Sequence, residues 1–196
     1  MRFEIASVKQ KNKYLYFAIK LAGFFVVLFV LDFVIGSTLE YFYFKQQSGA
    51  DYRATYVMEE AKEELLIMGS SRALHHYQAE IMEQKLGLTT YNAGRNGNPI
   101  LYHLALLKSV LKRHKPKQII LDININEFKE MKDSYDILSM LLPYYKTHPE
   151  VRPIIHHKSE FERLKLLSKI YPYNSLMFTI AVGNLDFNKK RRDVFK

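Results

Sequence analysis

The residues best suited to chemistry in this chain begin at Gly69-Ser70-Ser71. The apolar run Leu65-Leu66-Ile67-Met68 stops at the glycine, two serines follow, and an amphipathic segment starts directly after them. This pattern predicts strand, tight turn and helix, which puts a small hydroxyl at the carboxyl edge of a sheet, where nucleophiles and anion sites are often built. Acyl transfer needs a nucleophile, donors for the oxyanion, and a base. Ser71 supplies the first. The backbone N–H of Ser71, the N–H of Gly97 and the side-chain amide of Asn126 are candidates for the second. Gly97 has no side chain to obstruct a substrate oxygen, and Asn126 offers two N–H donors without charge. These groups are the parts that a serine hydrolase or acyltransferase with Ser71 as nucleophile would need.

Three strands must position these groups. Glu64 to Met68 reads as a strand buried on both faces, because its apolar run is short and unbroken. Residues 77–86 read as a helix with Ile81, Met82 and Leu86 inward and Gly87 as its stop. Leu88 to Tyr91 is a second short strand, and Asn92-Ala93-Gly94-Arg95-Asn96-Gly97-Asn98-Pro99 is a loop rich in turn residues. Asn98 is expected to cap a helix with Pro99 in its first position, and Ile100, Leu101, Leu104, Leu107, Val110 and Leu111 to form the inner face. Gln118 to Ile125 is the third strand. Strand, helix, strand, helix, strand implies a parallel sheet. Gly69–Ser71, Gly97-Asn98 and Asn124–Glu127 then converge on its carboxyl edge. Residues 133–146, 159–170 and 174–183 read as helices interrupted by Pro143, Pro149, Pro153 and Pro172. A three-stranded parallel sheet with an open edge is a poor stopping place, so the domain is expected to be incomplete at the C-terminus.

The N-terminal part has a different character. Residues 1–13 form a basic segment, expected in the cytoplasm. Residues 14–44 form a transmembrane anchor with aromatic flanks, residues 45–60 a linker, and residues 61–196 the α/β domain. Leu21 to Leu39 is almost wholly apolar and 19 residues long, enough to cross roughly 30 Å of hydrocarbon at ~1.5 Å per residue. Tyr14 and Tyr16 flank one end, and Tyr41, Phe42, Tyr43 and Phe44 the other, as an interfacial belt would. The lysines crowd the N-terminal side, so the domain is expected outside the cytoplasmic membrane, with the lipid bilayer as partner of residues 14–44. A cleaved signal peptide and a buried core helix are the alternatives; the apolar run is long for the former, and no small-residue cleavage site follows it. Asp32 stands near the outer end of the span, with a polar partner within the membrane as an open alternative.

The ordered blocks Gly69-Ser70-Ser71, Asn92 through Gly97, and Asn124-Ile125-Asn126-Glu127 resemble the SGNH, or GDSL-like, hydrolase superfamily. Its blocks are Gly-Asp-Ser, Asn-x-x-x-x-Gly and Gly-x-Asn-Asp; Ser70 and Asn124 replace the family's intermediate Asp and Gly. The Gly-Ser-Ser variant behind an anchor looks like the branch that includes teichoic-acid D-alanyl transfer and alginate O-acetylation proteins. The resemblance covers roughly residues 60–130. It implies a flavodoxin-like SGNH-type fold, Ser71 as nucleophile, Gly97 and Asn126 as oxyanion donors, an acylated cell-envelope glycan as substrate and no cofactor. The family's Asp-x-x-His block is absent, since none of the seven histidines has an acidic residue three positions before it. Under the resemblance the base lies on chain beyond Lys196.

Plainer readings stand beside these. Ser70-Ser71 also suits a helix cap, Gly94 and Gly97 suit simple turns, and Asn126 suits a turn closure. His75-His76 and His156-His157 are poor metal ligands, because adjacent side chains diverge and no acidic partner has useful spacing; no metal is expected. His75, four residues after Ser71, is a candidate substitute base. Arg72, Tyr144-Tyr145 and the Leu138–Leu142 run read as solvated or core residues. There is no cysteine, so neither disulfides nor thiolate metal sites are available. The formal charge is +9, but much of the excess lies at the two ends, including Lys189–Arg192, so nucleic acid is not an expected partner. Two other functions compete: a non-catalytic anchored SGNH-like module, fragment or decayed enzyme, that binds a glycan or partner protein, and a basic polyanion-binding module.

Overall fold

The computed structural model describes residues 2–129 and 135–185, with side chains from Lys13 onward except that of Asn126. The chain is mixed α/β with one long apolar N-terminal helix and a small parallel sheet. Helix α1 (Arg2–Lys45) runs without a break past the expected span. Over Lys13–Lys45 it is long and apolar enough to cross a membrane, and none of its most apolar stretch is buried in the protein.

The sheet has the order β2-β1-β3, all parallel. Strand β1 (Leu65–Gly69) is central and buried at every position; an unbroken apolar run is what a strand covered on both faces requires. It pairs with β2 (Thr90–Asn92) from Leu65↔Thr90 to Ile67↔Asn92. On its other side it pairs with β3 (Gln118–Asp122) from Leu65↔Gln118 to Gly69↔Asp122. The third strand thus ends at Asp122 instead of Ile125, and Ile125–Phe128 form a 3₁₀ turn. The second strand lies at Thr90–Asn92, shifted from Leu88–Tyr91.

Several expectations about helices need correction. Residues 45–60 are not a linker: Gly49–Glu59 form α2, with Asp51, Ala54, Val57 and Met58 buried. After β1 come α3 (Ser71–His76) and α4 (Ala79–Leu86) rather than one helix over 77–86. Gly87 stops α4 with φ 67°, a left-handed position that glycine adopts without Cβ strain. Only Ala79 of α4 is buried, and Ile81 and Leu86 are exposed. Helix α5 (Ile100–Arg113) is capped by the extended Pro99, so proline precedes the helix instead of opening it. Asn98 is buried, with its side-chain amide 3.8 Å from the Met140 sulfur. The buried stripe of α5 is Tyr102, His103, Ala105, Leu106, Ser109 and Val110, while Leu104 and Leu111 are exposed. Tyr102, Ala105, Leu106 and Val110 share a core with Ala54, Val57 and Met58 of α2, which turns this face of the helix inward.

From residue 135 onward the chain is built of short pieces. Ile137–Tyr144 is a 3₁₀ helix containing Pro143, followed by a turn at Pro149–Val151, α6 (Arg152–His156), α7 (Glu162–Lys165), a turn at Tyr171–Tyr173 and α8 (Met177–Leu185). The long helices expected over 133–146 and 159–170 are therefore fragmented; residues 133 and 134 lie outside the described residues. Proline cannot donate to the helical ladder, which keeps these pieces short. Leu138, Leu141, Leu142 and Tyr144 join α2, β1 and α5 in one core. Tyr43 of α1 enters this core as well, 1% exposed, with its hydroxyl 3.0 Å from that of Tyr144. It does not belong to an interfacial belt, although Tyr41 beside it is exposed.

Candidate functional site

Gly69 closes β1 with φ 142°, and a Cβ there would stand 2.5 Å from the Asp122 carbonyl oxygen. Only glycine lets β1 and β3 approach this closely while the chain turns into α3. Ser70 occupies the cap position of α3 but makes no capping bond. Its Oγ instead faces Glu127 Oε1 at 3.5 Å, which also accepts the Asn124 N–H at 3.2 Å. Ser71 opens α3 and is exposed. Among the described residues neither its N–H nor that of Gly97 donates to a backbone carbonyl outside regular structure.

The segment after β2 is held by side chains. Asn92 is buried; its Nδ2 donates to the carbonyls of Ala73 at 2.7 Å and Tyr77 at 2.9 Å, and its Oδ1 accepts the Gly94 N–H at 2.9 Å. Arg53 of α2 donates to the carbonyls of Asn92 and Gly94. The Arg95 N–H donates to the Gly69 carbonyl at 3.0 Å, and its guanidinium pairs with buried Asp51 at 2.8 Å. Burial alone would lower the basicity of that guanidinium, but Tyr102 and Asp51 outweigh it and hold the charge. Gly94 admits no side chain, since a Cβ would lie 2.5 Å from the Leu74 N. Gly97, exposed at φ 71°, is unobstructed: nothing lies within 4 Å of a Cβ built there.

These contacts bring the expected segments to one edge of the sheet. The ring of His75, one turn after Ser71 on α3, reaches Asn96 at 3.1 Å and joins the first segment to the second. Ser70 and Glu127 join the first to the third. Arg72 is not merely solvated: it bonds Asp122 at 2.5 Å and the Ile123 carbonyl at 2.9 Å. Asp122 also raises the Tyr77 hydroxyl above its ordinary range by hydrogen bonding. The side chain of Asn126 lies outside the described residues, so only its backbone is placed, in the turn after β3.

The other histidines stand apart. His103 is buried in α5, and burial pushes it down to about 4, so it is neutral at pH 7. His148 bridges Glu59 and Glu150 at 2.7 and 2.8 Å. His156 meets the Tyr145 hydroxyl, and His157 stacks near Tyr135. Among the described residues no group of three or more His, Asp or Glu is disposed to hold a metal ion. A cleft of about 800 Å³ opens at the amino end of the strands, lined by Tyr56, Glu59, Glu60, Glu63, Glu80 and Glu83, away from Ser71.

The structural residues around the second segment, Asp51, Arg53 and Arg95, are not apparent from spacing. Asp51 and Arg95 are 44 positions apart, and no local pattern couples them. No protein-family model, curated protein or solved structure matches the chain.

Proposed function

We propose that this chain is a membrane-anchored serine esterase or O-acyltransferase that acts on an acylated, acetyl-bearing cell-envelope carbohydrate outside the cytoplasmic membrane, in a flavodoxin-like domain of the SGNH type. The observation that supports it most is Ser71 itself: exposed, at the carboxyl edge of the central strand, on the helix whose His75 reaches Asn96 in the exposed turn before Asn98. In this reading Ser71 Oγ attacks the acyl carbonyl. The Ser71 and Gly97 N–H groups and the Asn126 amide hold the oxyanion. Collapse expels the sugar hydroxyl, and the acyl group leaves Ser71 for water or for an acceptor hydroxyl. Positioned donors of this kind are each worth about 2.7–4 kcal/mol in acyl transfer.

The serine proton needs an acceptor. His75 is the histidine that α3 carries one turn from Ser71, though the sequence has no acidic residue three before it to orient the ring. A fluorophosphonate serine probe and turnover of p-nitrophenyl acetate test the reading. The full-length protein is expected to label and turn over, its Ser71→Ala variant to do neither, and His75→Ala to separate a histidine-assisted serine from one that depends on another base. Equal labelling of wild type and Ser71→Ala overturns the assignment. Absence of both activities together with glycan binding unaffected by Ser71→Ala favours the non-catalytic anchored module.

A further inference from the structure

Asp32 lies within the apolar run of α1, yet its carboxylate is fully engaged. It accepts from Ser168 Oγ at 2.5 Å, from the Lys169 N–H at 2.6 Å and from the Ile170 N–H at 3.3 Å. The same segment is pressed onto α1 one turn further on, where a Cβ at Gly36 would stand 2.4 Å from the Lys169 carbonyl carbon. The Lys169 ammonium then pairs with Glu40. Residues 168–170 are therefore clamped along α1 between Asp32 and Glu40. Asp32 is seven positions before Leu39, the last residue of the apolar run, a depth of about 10 Å at ~1.5 Å per residue.

The chain that leads into this clamp has its polarity inverted. Glu162 of α7 is 0% exposed, held by Lys165, Lys158 and the Tyr171 hydroxyl. Phe161, Leu164 and Leu167 face outward, 65%, 65% and 77% exposed. A helical turn bathed in water carries its charges outside and its apolar groups inside. Here Glu162 lies inside while Phe161, Leu164 and Leu167 lie outside beside the exposed Arg163, and the segment leads directly into the clamp on α1.

We infer that Phe161, Leu164 and Leu167 insert among the acyl chains of the bilayer leaflet nearest the domain, so that α7 is a second membrane contact beside α1. The inference rests on α1 being membrane-spanning. Two observations favour lipid over a protein partner as the occupant: Leu167 directly precedes Ser168, which is bonded to α1 within its apolar run, and the clamp at Asp32 sets the depth of that attachment. Arg163 is exposed in the same stretch of chain, suited to headgroup phosphates at the rim.

The natural sequence contains no cysteine, so single cysteines can be placed in the full chain and carry a nitroxide label. Leu164→Cys and Leu167→Cys are the test positions, with Val27→Cys in α1 and Leu111→Cys on the far helix α5 as references. The protein is reconstituted in vesicles of phosphatidylcholine and phosphatidylglycerol, and collision with oxygen and with a water-soluble nickel chelate is measured by electron paramagnetic resonance. The expected result is an oxygen-to-nickel accessibility ratio at both test positions close to that at Val27 and severalfold above that at Leu111. A lipid-like Val27 with water-like Leu164 and Leu167 overturns the insertion and leaves the anchor standing. A water-like Val27 overturns the anchor and the insertion with it. Shielding of Leu164 and Leu167 from both reagents assigns the patch to a protein contact and also overturns it.

Discussion

The two flanks of β1 are built by different means. On the β2 side the backbone is short, and side chains do the holding: Asn92 bonds two carbonyls and one N–H, Arg53 bonds two carbonyls, and Arg95 pairs with buried Asp51. On the β3 side the pairing with β1 is longer, from Leu65↔Gln118 to Gly69↔Asp122, yet Ile119, Leu121 and Ile123 stay exposed, and Ile125 and Phe128 are more so. Ladder pairing and burial are thus separable: one edge is locked by buried polar side chains reaching across chain segments, the other by a longer ladder with the half-exposed Arg72–Asp122 pair beside it. For the candidate site, the Gly97 turn sits on the locked flank and the Asn126 turn on the open one.

The sharpest test of the locked flank is Arg95→Met. It leaves the Asp51 carboxylate, 4% exposed, without its cation, and breaking a buried pair from one side costs about 3–5 kcal/mol. Urea denaturation is expected to show a loss of that order. A loss under 1 kcal/mol would mean that Asp51 finds water and that the flank is looser than its hydrogen bonds imply.

The next effect is an acid response of α5 behind the same flank. An unfolded histidine titrates at its ordinary 6.5, while burial holds His103 down to about 4 in the folded protein. Between these values the unfolded chain binds the extra proton, so stability falls as pH drops from about 6.5 to about 4, by up to about 3 kcal/mol. His103→Leu is expected to remove that part of the slope; an unchanged slope assigns it to other groups. Asn92→Ala should cost about 2–3 kcal/mol, because the Ala73 and Tyr77 carbonyls lose their donor inside the protein.

The smallest effect is expected on the open flank. Leu121→Ser changes an exposed position and should stay within about 0.5 kcal/mol. A cost equal to that of Asn92→Ala would erase the difference between the flanks and show that β3 is covered in solution.

What the sequence made legible follows the same division between local and distant causes. The strand at Leu65–Gly69, the stop at Gly87 and the long apolar helix were readable because each rests on a run or a turn residue within a few positions. The helix over Gly49–Glu59 was not, because its buried residues Asp51, Ala54, Val57 and Met58 are sparse among polar ones, and its buried charge is balanced by Arg95 far along the chain. Tyr43 misled for a related reason: an aromatic next to an apolar span fits a headgroup belt, and only tertiary packing against Tyr144 and Tyr173 takes it inside. The inner face of α5 was misread because leucines were weighted above the rings of Tyr102 and His103, both of which are buried. In the candidate site, the three segments and their order were legible, whereas the partners of Ser70, Arg72 and His75 depend on strand register and were not.

Helix α1 reaches Lys45 without a hinge, and Tyr43 is buried at its far end. Helix α1 and the sheet are therefore joined through one core. With α1 set in a bilayer, Ser71 rides at a fixed altitude above the surface and sweeps a thin horizontal slab as the protein diffuses sideways. Under the proposed function, a glycan chain would be met only where it passes through that slab, so the height of the substrate, as well as its chemistry, would decide what is processed.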